Sequence, residues 1–281
     1  FDFGSAQAAT LRVGFYDLNS EFDSIDTAGL FINSSHGIGP EFAQSGANGP
    51  SIFPVTTLAL RLRGAAGAWY WQAAALDGAP GDRDDPERSG LYLSSGEGAL
   101  LVGEIGREAG PLRKLAVGAW TYTAEFDALA ELDGSTGGPL RRRGNSGVYA
   151  LADANVWSRG ERKIDAYVRL GAAADRFNSV ARYAGAGLVV SGFSDSRPDD
   201  QWGVSIASAR LGQDLRRSAD MAGAPIDRHE TTVEMTYRAP LTDWLTLQPD
   251  LQYVFNPGAD RSLDDALVIG LRVEISGAMN R

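Results

Sequence analysis

Between Asp265 and Ser276 apolar side chains fall on every second position. Leu267, Ile269, Leu271, Val273 and Ile275 share one face of an extended chain, and Arg272 and Glu274 share the other. The same alternation recurs back to the start of the chain in about twelve segments. It is clearest over 11–17, 55–63, 69–76, 115–123, 164–173, 231–238 and 244–255. Tight polar connections, Gly64–Gly67, Arg159–Glu161 and Pro240–Asp243, predict turns at one end of the strands. Long connections over 18–54, 77–95, 125–145 and 212–228 predict loops at the other. Period-two strands with short turns on one rim and long loops on the opposite rim predict an all-β chain, a transmembrane antiparallel β-barrel. The alternative is a soluble β-sandwich or barrel whose apolar positions pack a core and whose polar face binds ligands. So many strands must close or stack to remove their edges, and the mixed character of the polar face favours closure.

Composition adjusts this picture in a few places. The chain has 281 residues, a length that a barrel commonly reaches as one domain, so 1–281 reads as a single unit. It contains 34 Gly without any collagen-like period, as a many-turned sheet requires, and no Cys, which suits an exported chain without disulfides. No apolar run is long enough for a membrane helix, and the mean hydropathy of −0.19 fits a sheet with one wet face. A net charge of −10 argues against a nucleic-acid partner. The chain opens at Phe1 with neither Met nor a leader, which reads as a processed or truncated product. Trp69, Trp71, Tyr237, Trp244, Tyr253 and Phe255 lie near strand ends, where membrane-interface aromatics are expected.

Parity assigns one set of side chains to the polar face. It comprises Arg12, Arg61, Arg63, Tyr70, Gln72, Glu104, Trp120, Tyr122, Asp153, Asn155, Asp165, Tyr167, Arg169, Glu230, Glu234, Arg238, Gln248, Asp250, Gln252, Arg272 and Glu274. In a barrel these line the lumen. The longest loop, 18–54, carries Phe, Ile, amide and small residues, too apolar for a disordered segment and too long for an idle one. It is expected to fold inward and narrow the lumen, bringing Glu21, Asn33 and Glu41 towards Arg12, Arg61 and Arg63. The alternative is a surface loop packed on itself.

Catalytic readings find little support. Ser34, Ser35 and His36 are adjacent in sequence, which seldom gives nucleophile–base geometry, and no Gly-x-Ser-x-Gly elbow exists. The chain is therefore read as a non-enzyme without a resident cofactor. Two acidic loop clusters, Asp82, Asp84 and Asp85, and Asp195, Asp199 and Asp200, are candidates for loop-bound calcium, although solvated acidic loops explain them as well.

Several stretches carry a family resemblance: Leu11–Phe22 (LRVGFYDLNSEF), the 18–54 loop, Gln72–Gly81 (QAAALDGAPG), Tyr149–Asp153 (YALAD), Tyr237–Gly258 (YRAPLTDWLTLQPDLQYVFNPG) and Asp264–Ser276 (DDALVIGLRVEIS). In order and over nearly the whole chain they resemble the carbohydrate-selective porins of Gram-negative outer membranes, the OprB family. The resemblance implies a barrel of about sixteen strands, so that roughly four would precede Phe1. It implies passive diffusion of small carbohydrates such as glucose. A more general small-solute sieve of the same build is the alternative. Sugars are the implied passengers, and outer-membrane lipid and lipopolysaccharide the implied surroundings, with the oligomeric state open. Fixed Arg, Glu, Asp and Gln side chains can exchange hydrogen bonds with sugar hydroxyls, and rings such as Trp120 and Tyr167 can stack on a pyranose.

Overall fold

The computed structural model describes residues 2–3, 9–81 and 96–277. Asp82, Asp84 and Asp85, the first acidic cluster, lie outside the described residues. The strands are β1 (Asp2–Phe3), β2 (Ala9–Tyr16), β3 (Thr57–Ala66), β4 (Trp69–Asp77), β5 (Ala99–Ala109), β6 (Leu112–Tyr122), β7 (Phe126–Leu132), β8 (Pro139–Arg142), β9 (Ser146–Arg159), β10 (Arg162–Ala173), β11 (Val180–Ser191), β12 (Gln201–Leu211), β13 (His229–Thr242), β14 (Leu245–Phe255) and β15 (Ala266–Ile275). All except β7 and β8 form one 13-stranded sheet in which each strand pairs with its chain neighbour. Every pairing is antiparallel, so the sheet is a continuous meander.

Parity decides the two faces. On β3 the side chains of Ala59 and Arg61 are buried while Leu60 and Leu62 are exposed, and on β4 Tyr70 and Gln72 are buried between exposed Trp69 and Trp71. The pattern holds round the sheet: Ile105, Val117, Val148, Leu170, Leu188, Ile206, Met235 and Leu251 are all exposed on the apolar face. In water such a surface would cost about 25 cal/mol for each Å² left uncovered. Hydrocarbon removes that cost, and the exposed Trp69, Trp71, Trp157, Trp202 and Trp244 all lie towards the short-turn rim as an interfacial girdle.

Several connections differ from their sequence-based reading. Strand β3 runs through Gly64 to Ala66 and β13 through Pro240 to Thr242, so both turns are tighter than predicted. The stretch 125–145 carries a hairpin of its own, β7 paired with β8, and 212–228 contains the helix α2 (Gln213–Met221). Both have polar, turn-rich sequences in which a short element leaves no long periodic run. Pro249 has no N–H for the ladder, and the β13–β14 pairing steps from Thr236–Asp250 to Ala239–Leu247 around it.

The core lies on the inner face of the sheet. It consists of the 17–56 segment, with Leu18, Phe22, Phe31 and Phe42 buried, packed against Tyr16, Leu76, Leu100, Trp120, Tyr149 and Tyr167 of the wall. The segment is closed at its base by Leu18 N–H donating to the Ser51 carbonyl at 2.8 Å and Ser51 Oγ donating to the Tyr16 carbonyl at 2.6 Å.

Candidate functional site

The inserted segment is built from short turns because its sequence supplies caps rather than helical runs. Asp17 accepts from Asn19 N–H at 3.1 Å and Asn33 Oδ1 from Ser35 N–H at 3.0 Å, each opening a single 3-10 turn. A four-residue helix, α1 (Pro40–Ala43), begins with proline and places Glu41 and Phe42 against the wall. Such backbone leaves many polar groups without internal partners, and the inner face supplies them. Ile32 and Asn33 N–H donate to Glu234 at 2.6 and 3.1 Å, and Thr27 N–H donates to Asp153 at 3.0 Å. Gln248 Nε2 donates to the Leu30 carbonyl at 2.7 Å.

The strongest anchor is on β10. Arg169, 1% exposed, donates through Nε to Asp23 at 2.7 Å and through Nη2 to Glu41 at 2.7 Å. The rings of Tyr183 and Tyr149 flank its guanidinium at 5.2 and 5.9 Å. Burial pushes the Asp23 carboxyl up to about 6 although Arg169 pulls it down, and Glu41 adds to the rise. Two glycines admit this clasp. A Cβ on Gly39 would fall 1.8 Å from Arg169 Nη1, and one on Gly171 would fall 1.8 Å from Glu41 Oε1. A second anchor is His36, whose ring nitrogens meet Tyr167 Oη at 2.6 Å and Ser205 Oγ at 2.9 Å. Burial lowers His36 to about 4, so the ring is neutral at physiological pH.

On the other side of the segment the wall is wetter. Glu21 accepts from Arg12 Nη1 at 3.0 Å, from Arg61 Nη2 at 2.6 Å and from Tyr16 Oη at 2.8 Å. Glu104 gathers donors from Tyr70, Gln72 and Tyr149 at 2.8, 3.0 and 2.7 Å, with Lys114 Nζ at 3.3 Å. Between this wall and the loop lies a polar cavity of about 220 Å³ whose lining includes Asp26, Arg63, Tyr70, Glu108, Arg113 and Lys114. Arg63 pairs with Glu108 at 3.7 Å and stands 4.8 Å over the Tyr70 ring, and Arg113 pairs with Asp165 at 2.7 Å.

The structure thus brings Glu21 to Arg12 and Arg61, whereas Arg63 pairs instead with Glu108. Asn33 lies across the lumen face, donating to Gln252 at 3.1 Å, and Glu41 belongs to Arg169. Asp250 hydrogen-bonds Gln252, while Arg238, Arg272 and Glu274 form a chain of ion pairs towards β15. Trp120 and Tyr167 are not free to stack on a sugar. Phe42 covers Trp120 in a parallel stack at 4.9 Å, and His36 and Phe31 close over Tyr167. Asp23, Thr27 and Asp26 escape sequence reasoning because a turn-built loop has no period. Lys114 shares Trp120's parity on β6 and was legible by that rule. Asp195 pairs with Arg162 and Asp200 with Arg197, and among the described residues no group of three acidic or histidine side chains is placed to hold a metal.

Residues 4–276 match the carbohydrate-selective porin, OprB family. The chain belongs to this family. It is 28% identical over 251 residues to Porin B of Pseudomonas aeruginosa, a match covering 79% of this chain and 55% of the relative. The chain therefore spans about half the length of that curated relative. The OprB structure of Pseudomonas putida at high pH superposes with a TM-score of 0.81 at 24% identity, covering 95% of this chain and 69% of that one. The low-pH structure of the same protein gives 0.56 at 18% identity, covering 95% and 62%. These likenesses establish the porin fold, an antiparallel transmembrane β-barrel of the bacterial outer membrane. The OprB family's apolar outer face is then its lipid contact, and the loop-filled inner face is its lumen side. Porins are transport channels, and His36, the one buried histidine among the described residues, is bonded between the loop and the wall.

Proposed function

We propose that this chain forms the wall and constriction of an outer-membrane porin for passive diffusion of small carbohydrates, with monosaccharides such as glucose as passengers. The observation that carries this reading is the cavity beside the 17–56 segment, where carboxylates, guanidiniums, an ammonium and the Tyr70 ring are held at fixed positions. A sugar hydroxyl both donates and accepts, so a lining of mixed donors and acceptors can replace its water as it moves. Opposite charges alternating along that lining cancel at a distance, which disfavours strong anion or cation selectivity. Binding must remain weak, because a tightly held solute does not leave. The 17–56 segment acts as the narrowing element, and its anchors keep it fixed while solutes pass. No resident metal or cofactor enters this reading, and outer-membrane lipid with its lipopolysaccharide is the surrounding partner.

Liposome swelling with the full-length protein tests the proposal. Mono- and disaccharides are expected to enter faster than amino acids and salts of matched size. Equal entry of everything below one size limit would reduce the protein to a general sieve, and no swelling by well-inserted protein would overturn the open channel.

A further inference from the structure

The outward face of β11 to β13 ends, at the long-loop rim, in a row of basic side chains. Arg182 on β11 pairs directly with Arg210 on β12, and Arg210 pairs with His229 on β13. Arg182 lies between Val180 and Tyr183, both buried inward, while Ala184 and Leu188 continue its outward parity. Arg182 and Arg210 continue the regular register that runs from Ser191–Gln201 to Tyr183–Ala209, and the ladder shifts only beyond them, between Val180 and Arg182. Two arginines directly opposite one another on one face repel, and such pairs destabilise a sheet. Here nothing among the described residues relieves them. Among the described residues no carboxylate lies within 4.0 Å of either guanidinium, and neither they nor His229 make a side-chain hydrogen bond.

The rows below show where this pair sits in the membrane. The next outward row holds Ala184, Ser208, Thr231 and Phe255, with the Ser208 and Thr231 hydroxyls bonded at 2.8 Å. Then come Ala186, Ile206, Val233 and Tyr253, and then Leu188, Val204, Met235 and Leu251. Val190, Trp202 and Tyr237 close the series near the short-turn rim. From the arginine row to the tryptophan row is about 26 Å of strand, or about 20 Å along the membrane normal at a tilt of about 40°. The two rows bracket the hydrocarbon, so the arginines stand at headgroup level in the leaflet on the long-loop side. In a porin that leaflet is the outer one.

Resting on the outer-membrane porin reading, we propose that Arg182 and Arg210, flanked by His229, bind a phosphate group of an outer-leaflet glycolipid. A phosphate accepts bidentately from guanidinium forks and cancels the repulsion that the fold leaves uncompensated. The adjacent Ser208–Thr231 pair gives the saccharide headgroup hydroxyl partners, and the apolar rows below receive the acyl chains.

The test is a titration of fluorescent lipid A, carrying two, one or no phosphates, into the full-length protein in detergent. Tight binding of the diphosphorylated form is expected. The R182Q/R210Q double variant should bind it about ten-fold more weakly or worse, with no change towards the phosphate-free form. Arg261→Gln, which removes a loop guanidinium paired with Asp227, should leave binding within about two-fold. Swelling rates and the heat-dependent gel shift of R182Q/R210Q should match those of the parent, which separates this proposal from the channel itself. Arg182→Lys and Arg210→Lys, which keep charge and lose the fork, should fall between and provide a second arm if the double variant misassembles. Unchanged lipid A affinity in a folded variant, or indifference of the parent to the phosphates, would overturn the proposal. Displacement of the lipid by millimolar inorganic phosphate alone would also overturn it, by making this a site for free anions.

Discussion

The two sides of the inserted loop use the same kinds of residue to opposite ends. At β10 and β11, Arg169, Asp23 and Glu41 are all buried, sealed by Tyr149, Tyr183 and the Phe42–Trp120 stack. At β2 to β6, Arg12, Arg63, Glu108 and Arg113 keep a third or more of their side-chain surface exposed, and the last three line the cavity. A buried pair is costly to break because the survivor stays desolvated, whereas a solvated pair contributes little to stability and is free to exchange partners. Charge on this face is therefore divided between holding the loop and lining an open cavity, and burial rather than residue type tells the two apart.

Arg169→Ala is the most direct way to break that division. It leaves the Asp23 and Glu41 carboxylates facing each other in a dry site, and the seating of the loop should weaken by about 3–5 kcal/mol. Hydrogen exchange across 22–45 should rise sharply, and single-channel conductance should increase as the loop leaves the lumen. An unchanged exchange pattern would show that the clasp is not what holds the loop.

Acid tests the second anchor on the same dry side. A base with a folded-state pKa lowered from 6.5 to about 4, as for His36, supports the seated loop fully above pH 6.5. That support is lost as pH falls from 6.5 towards 4, at about 1.4 kcal/mol per unit or roughly 3 kcal/mol in all. Glu234 lies 3.9 Å from Nε2 and is the acidic group that faces the ring. Asp23 works in the opposite sense: its pKa rises from 3.8 to about 6, so the seated loop takes up a proton first and acid favours seating in that window. His36→Gln retains a hydrogen-bonding side chain and removes only the first trend. Relative to pH 7.5, the variant's loop should be better protected at about pH 4.5 than the parent's, in exchange corrected for intrinsic rates. Identical pH dependence in both would mean that His36 does not couple to loop seating.

How much of this was legible in sequence follows from what has a period. Arg61, Gln72, Glu104, Arg169, Glu234 and Gln248 were placed on the inner face by alternation alone, because a strand fixes the side of every second residue. Their partners were not. Asp23 and Thr27 sit in isolated turns whose direction is set by the wall they land on, and the pairing of Glu41 with Arg169 joins residues 128 positions apart. Parity also said that Trp120 and Tyr167 point inward without saying that Phe42 and His36 would cover them. The β7–β8 hairpin and α2 were hidden for a related reason, since each is too short for its periodicity to stand out from a polar loop.

The smallest expected effect on stability is the most informative about transport. Arg63→Ala removes a half-open ion pair to Glu108 at 3.7 Å and a guanidinium above Tyr70, and should cost at most about 1 kcal/mol. Loop exchange and the heat-dependent gel shift should stay as in the parent. The relative swelling rates of sugars and size-matched controls should change, because a donor fork has left the cavity lining while its width has increased. Arg61 is the matched contrast: it is 3% exposed and bound to Glu21, so Arg61→Ala should disturb the loop as well as the flux. If both variants alter flux only through loop release, the open side of the lumen is structural too, and the division of labour drawn from burial fails. If Arg63→Ala shifts selectivity over a loop that stays seated, the solute reads the wet side alone.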